Sequence, residues 1–130
     1  MGEKVAFIGL GAMGGPMALN IIKKGTSVSV FDIETEKMEP HIKVGGIPGK
    51  SIQDTIEDAE IIVTMLPSTE NVKSVITDKD GVLSFAKPNT IILDMSTIAP
   101  TGTDEVYALC KQKNIKFIDA PVGRLVSHAI

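Results

Sequence analysis

Short apolar runs alternate with amphipathic stretches along almost the whole chain. Val5–Leu10 is a continuous apolar run, the pattern of a strand buried on both faces. A helix is predicted from about Met13 to Lys24. Met17, Ile21 and Ile22 recur at helical spacing, Lys23 and Lys24 suit its negative end, and Gly25 suits the position after it. Ser27–Phe31 reads as a second strand that ends on Asp32. Glu34–Val44 has a helical pattern with a break or restart at Pro40. Ile47 marks a short third strand. Ser51-Ile-Gln-Asp54 resembles a capping box, with Asp where Glu is usual, opening a small helix. Ile61–Met65 is a fourth strand, closed by Pro67, and Glu70–Ile76 is helical by Val72, Val75 and Ile76. Thr90–Leu93 is a fifth strand. Pro100 fits the first turn of a helix running to about Lys113, with Val106, Leu109 and Cys110 on one face and Asn114 as its stop. Lys116–Ile118 is a sixth strand. This alternation predicts an α/β fold: one parallel sheet, helices on both faces and right-handed crossovers.

The chain has 130 residues, enough for one domain with its own core. Its formal net charge of −3 argues against a nucleic-acid partner, whose binders carry a basic stripe. No stretch approaches the ~18 apolar residues of a membrane helix. The apolar run of the N-terminal MGEKVAFIGLG is too short and glycine-broken for a signal peptide. A single cysteine, Cys110, rules out an internal disulfide and reads as a buried, inert thiol. These features together place the expected location in the cytoplasm, away from membranes.

The chemistry-bearing motif follows the first strand. Gly9-Leu10-Gly11-Ala12-Met13-Gly14 matches G-x-G-x-x-G. Alone, such a hexamer also arises in ordinary tight turns. Here a buried strand precedes it, an amphipathic helix follows, and the second strand ends on an acid, Asp32, at about the 20-residue spacing expected of a dinucleotide site. Gly9 allows the tight turn, Gly11 lets backbone approach a pyrophosphate, and Gly14 lets helix and strand pack closely. The helix start offers free N–H groups and partial positive charge to phosphates. Asp32 can accept from ribose hydroxyls and would repel a 2′-phosphate, which selects NAD over NADP. Ile33 and Glu34, which follow, offer no Arg or Ser to hold such a phosphate. The expectation is a Rossmann-type, NAD-binding domain over residues 1–130.

In an open parallel sheet, ligands sit off the carboxyl ends of strands. Met65-Leu66-Pro67, Asp94-Met-Ser96-Thr97 and Asp119-Ala-Pro121 all fall there. Leu66 and Pro67 could press on the nicotinamide ribose, and Ser96 and Thr97 could donate hydroxyls near the ring. Pro67 and Pro121 could equally serve only to stop strands, and Asp94 and Asp119 only to cap loops. No Cys/His set has metal spacing. His41 and His128 stand alone, and lone histidines are usually structural or solvated.

The motifs "FIGLGAMGGPMALNIIKKG" with "FD", then "IVTMLPS", "DMSTIAP" and "DAPV" stand in the order and spacing of the β-hydroxyacid dehydrogenase (3-hydroxyisobutyrate dehydrogenase) family. The chain resembles that family over essentially its whole length. The resemblance implies an NAD(P)-binding Rossmann domain joined to an all-helical domain, and hydride transfer at a small 3-hydroxy acid. It implies nicotinamide contacts from Ala12, Met13, Leu66, Pro67, Asn71 and Thr97. Three departures stand out. The family's "STISP" reads Ser96-Thr-Ile-Ala-Pro100, losing a hydroxyl at Ala99. Its "APVSGG" loop, which cradles a substrate carboxylate, reads Ala120-Pro-Val-Gly-Arg-Leu125. This form, with Gly123 and Arg124, resembles the loop of sulfolactaldehyde reductases, where an arginine helps hold a sulfonate. Lastly, the helical domain, with the family's catalytic lysine, is expected to lie beyond these residues. No catalytic residue is therefore assigned here, and Lys111, Lys113 and Lys116 read as solvated charges.

These readings define an expected cofactor domain of an NAD-dependent reductase. Its partner would be a small anionic hydroxy acid or aldehyde: sulfolactaldehyde, or a carboxylate such as 3-hydroxyisobutyrate or succinic semialdehyde, held by Ser96, Gly123 and Arg124. The whole protein is expected to be a homo-oligomer. A non-catalytic NAD-binding module is the alternative from another class, since fold alone does not specify function.

Overall fold

The computed structural model describes residues 4–96 and 100–120, with the backbone alone for 100–103. Its strands are β1 (Lys4–Ile8), β2 (Ser27–Phe31), β3 (Ile47–Pro48), β4 (Ile61–Thr64), β5 (Ile91–Asp94) and β6 (Lys116–Asp119). All pair in parallel, in the order β3-β2-β1-β4-β5-β6. β1 and β4 therefore lie side by side at the centre, Val5 opposite Ile61 and Ile8 opposite Thr64. The helices are α1 (Gly14–Lys23), α2 (Glu39–Lys43), α3 (Ile52–Ile56), α4 (Thr69–Thr77), α5 (Val82–Phe85) and α6 (Pro100–Gln112). A 3-10 turn, Thr35–Met38, precedes α2.

Successive strand residues face opposite sides, so one apolar run feeds two cores. From β1, Ala6 and Ile8 join Ile62, Ile92 and Phe117 beneath α3–α6, where Ile56, Val72, Ile76, Val82, Val106 and Cys110 complete the layer. Val5 and Phe7 point the other way and pack with Val28, Val30, Ala18, Ile22 and Met38 under α1 and the 3-10 turn. Cys110 is fully buried, and burial pushes its thiol up to about 11. This agrees with the inert thiol read from the sequence.

The elements match the predicted order with local differences. The Glu34–Val44 pattern divides into the 3-10 turn and α2, with Pro40 in the first turn of α2. α5 was not anticipated: four residues are too few to show a period. Ser51 caps α3 as expected, its hydroxyl accepting from the Asp54 N–H at 3.1 Å. Asn114 stops the last helix in a left-handed conformation, φ 59°, which Asn tolerates better than most residues. Lys113, read as a solvated charge, is exposed and also donates its ammonium to the Leu83 carbonyl at 2.9 Å, which ties the end of α6 to α5. Among the described residues, no helix is long and apolar enough to cross a membrane.

His41 is structural. Its ring is buried between the carbonyls of Lys37, 3.1 Å from Nδ1, and Gly15, 2.9 Å from Nε2. It thereby joins the 3-10 turn to the first turn of α1.

Ile62 sits fully buried at the middle of β4. Ile62→Ala should cost about 2–5 kcal/mol through lost burial and the cavity left behind. Urea unfolding should show a lower midpoint with an unchanged slope.

Candidate functional site

The carboxyl ends of β1, β2 and β4 open into a cleft of about 520 Å³. At its floor the chain leaves β1 through Gly9, at φ 100°, whose N–H donates to the Phe31 carbonyl at 3.0 Å. The three motif glycines divide by what surrounds them. A Cβ on Gly9 would collide with the Met65 carbonyl of the neighbouring β4 exit, and one on Gly14 with the Gly9 carbonyl. Both glycines permit backbone contact within the protein. A Cβ on Gly11 would meet nothing within 4 Å. The space it would enter belongs to the cleft, where a pyrophosphate would approach the backbone.

α1 begins beside that space with neither a capping side chain nor an acid in its first turn. Its partial positive charge is thus left for an anionic ligand. Asp32 closes the other side of the loop. Oδ2 accepts the Leu10 N–H at 2.8 Å, and Oδ1 accepts the Glu34 N–H at 2.9 Å. A carboxylate has about four lone-pair sites, so both oxygens can still accept from a ribose. The acid does two jobs: it clamps the loop and presents acceptors to the cleft.

A buried polar network supports the opposite wall. The Leu66 N–H donates to the Ser96 hydroxyl at 2.7 Å. Asp94 Oδ1 accepts the Thr64 hydroxyl at 2.8 Å and the Ser96 N–H at 3.1 Å, while Oδ2 has no hydrogen-bond partner among the described residues. Burial pushes the Asp94 carboxyl above its ordinary value. Hydrogen bonds from Ser96 and Thr64 pull partly the other way, and Asp119, its register partner on β6, pushes it further up. Nearby, Ser68 caps α4 and donates its hydroxyl to the Asn71 side-chain carbonyl at 2.6 Å. The amide NH2 group of Asn71 is the part left to meet a ligand.

Gly9, Gly11, Ala12, Met13, Gly14, Asp32, Leu66, Pro67 and Asn71, all anticipated from sequence, line this one cleft. Leu10 is buried behind it and contributes its N–H to Asp32. Ser96 is also fully buried and does not reach the cleft surface; its hydroxyl positions Leu66 instead. Thr97, Gly123 and Arg124 lie outside the described residues. Sequence reasoning missed the apolar walls from Phe31, Ile52 and Val75, and the rim formed by Ile33, Glu34 and Lys37. Ile33 carried a signal, an apolar residue directly after the acid; it is 85% exposed. Among the described residues no three His, Cys, Asp or Glu side chains gather as a metal site.

The open space at Gly11, the unshielded start of α1, the acid at Asp32 and the apolar walls fit a dinucleotide, and together with the sheet order they define a nucleotide-binding Rossmann domain. Residues 4–129 match the family model described as the NAD binding domain of 6-phosphogluconate dehydrogenase, and the chain belongs to that family. NAD is the cofactor that such a domain binds. The chain is 36% identical over 121 residues to an NAD-dependent L-serine dehydrogenase of Pseudomonas aeruginosa, covering 93% of this chain and 41% of that protein. It is 38% identical over 126 residues to a 3-sulfolactaldehyde reductase of Escherichia coli, covering 97% and 42%. A solved structure of Mycobacterium tuberculosis 3-hydroxyisobutyrate dehydrogenase with L-serine superposes with a TM-score of 0.86 at 36% identity, covering 93% and 40%. The chain thus spans about two fifths of the length of these relatives. The resemblance read from the motifs is borne out.

Gly11→Ala should weaken NADH binding at least tenfold, about 1.4 kcal/mol, with little change in melting temperature, because only ligand space is filled. Gly14→Ala should instead lower the melting temperature, because its Cβ meets backbone. NADH fluorescence titration and thermal unfolding of both variants check this. Unchanged affinity in folded Gly11→Ala would reduce that glycine to a turn residue.

Asp94 sets a pH dependence of stability. Its folded-state value lies above the ordinary 3.8, so the folded protein holds this proton to higher pH than the unfolded chain. The contribution is fully present below the unfolded value and is lost as pH rises through the folded value. Wild-type stability relative to Asp94→Asn should therefore fall as pH rises above about 4. Urea unfolding of both proteins across that rise measures it; a flat or rising difference contradicts the burial argument.

Proposed function

We propose that this chain is the cofactor domain of an NAD-dependent oxidoreductase acting on a small anionic three-carbon hydroxy acid or its aldehyde. The best-supported pair is sulfolactaldehyde and 2,3-dihydroxypropanesulfonate. The observation that carries the reading is the cleft itself, where open space at Gly11, the unshielded start of α1 and the Asp32 carboxylate converge. When bound there, the nicotinamide supplies the hydride chemistry. The protein's share is to fix the dinucleotide: pyrophosphate against the glycine loop, ribose on Asp32, and the nicotinamide end between Met13, Leu66, Pro67 and Asn71. Thr97 would add a hydroxyl there. Substrate would sit off β5 and β6, its anion on Gly123 and Arg124, with Ser96 acting through Leu66. A lysine in a following helical domain would move the hydroxyl proton.

Two findings support the sulfonate. The 3-sulfolactaldehyde reductase matches across 97% of this chain, and Arg124 replaces the second residue of the family's Ser-Gly-Gly loop. A guanidinium pairs with a carboxylate as readily as with a sulfonate. The similarity to an L-serine dehydrogenase therefore favours a carboxylate substrate as the second reading.

Steady-state kinetics of the whole protein with sulfolactaldehyde, succinic semialdehyde and L-serine decide between them through kcat/KM. Arg124→Ala should lower kcat/KM for the preferred anion about 10²-fold through loss of a charged, forked pair. Arg124→Lys should recover part of that loss, and NADH affinity should hold. If Arg124→Ala weakens NADH as much as substrate, the arginine serves the cofactor.

A further inference from the structure

We infer that Glu34 and Lys37 form a second cofactor-specificity device at the ribose end of the cleft, in which Glu34 occupies the cation that would otherwise hold a 2′-phosphate. The inference rests on Asp32 marking that end. Lys37 is the one cation among the described residues lining the cleft, and two carboxylates, Asp32 and Glu34, line it as well. Its ammonium lies 2.7 Å from Glu34 Oε2. Glu34 holds the ammonium proton more firmly than usual, chiefly through that hydrogen bond and then through its charge.

The backbone imposes this pairing. The Glu34 N–H is fixed on Asp32 Oδ1, and the Lys37 N–H donates to the Glu34 carbonyl at 3.0 Å. Glu34 is the extended residue that precedes the 3-10 turn, and the i→i+3 backbone bond folds Lys37 back beside it. Two anchors keep the turn in place: Met38 is buried in the core under α1, and the His41 ring contacts the Lys37 carbonyl while its other nitrogen faces Gly15. The turn is thus held against the phosphate-binding helix, and Lys37 cannot leave the rim by a backbone shift alone.

A 2′-phosphate arriving here meets two carboxylates and a lysine already engaged. Removing Glu34 changes both conditions: one negative charge goes, and Lys37 is released toward the ligand. Both side chains are partly exposed, and exposed ion pairs contribute little to stability, so the change should leave the fold intact. Asp32 alone rejects NADP by repulsion; the Glu34–Lys37 pair adds rejection by sequestration.

Calorimetric titration of the whole chain with NADH and NADPH tests the device in wild type, Glu34→Ala, Lys37→Ala and the double variant. Glu34→Ala should tighten NADPH about tenfold, the size of one hydrogen bond to a charged group, and leave NADH within about twofold by the same scale. The gain should shrink as salt rises and vanish in the double variant. Unchanged NADPH affinity in Glu34→Ala overturns the inference. A gain that persists in the double variant also overturns it, since charge removal alone would then account for it. Asp32→Ala, titrated alongside, isolates the premise: if NADH is indifferent to it, the ribose lies elsewhere, whatever the pair does.

Discussion

The structure depends on three pieces of backbone meeting without side chains between them. The exit of β1, the exit of β4 and the start of α1 converge where Gly9 faces the Met65 carbonyl and Gly14 faces the Gly9 carbonyl. A methyl group at either position would force these apart. Their closeness lets α1 begin directly above the sheet's central pair, so the positive end of the helix and the strand ends share one cleft. The Asp32 carboxylate then fixes the loop from the side by accepting Leu10 N–H, and extends the same restraint to the rim through Glu34 N–H. Cofactor binding is thus built from local backbone requirements, with few side chains committed to contact alone.

Much of this was legible in the residue order. β2 was placed at its observed bounds, and the other strands within a residue or two, because continuous apolar runs ended by Asp, Pro or Gly leave little choice. The glycines and Asp32 were identifiable because strand, loop, helix and acid must follow one another at set intervals. What could not be read was pairing across distance. Ser96 looked like a ligand-facing hydroxyl, but the chain folds it inward to Leu66, 30 positions away. Lys37 showed no sign of reaching the cleft, since Pro40 suggested only a broken helix and gave no indication of a 3-10 turn. His41 was read as a lone histidine, structural or solvated, yet nothing local disclosed the Gly15 carbonyl behind it.

The two walls of the cleft differ in kind. The glycine-loop wall is made of backbone N–H groups and one carboxylate, and it suits charge. The opposite wall hangs on a buried hydroxyl and carboxyl network, Thr64–Asp94–Ser96, that fixes Leu66 without meeting solvent. Burying a carboxyl whose Oδ2 has no hydrogen-bond partner among the described residues costs stability, and the network holds a loop at the cleft in return. Substitutions in it should therefore alter the wall at Leu66 more than the rim at Glu34 and Lys37.

The strand order has a consequence in time. β1 and β2 are near neighbours in sequence and can zip early, but the other partner of β1 is β4, so Val5 must wait for Ile61. Closing so long a loop is entropically slow. Until it closes, Gly9 has no Met65 carbonyl to rest against and the cleft has a single wall. During synthesis, the first half of the domain would leave the ribosome with the phosphate loop written but not yet shaped, and NAD could capture the domain only after β4 had docked.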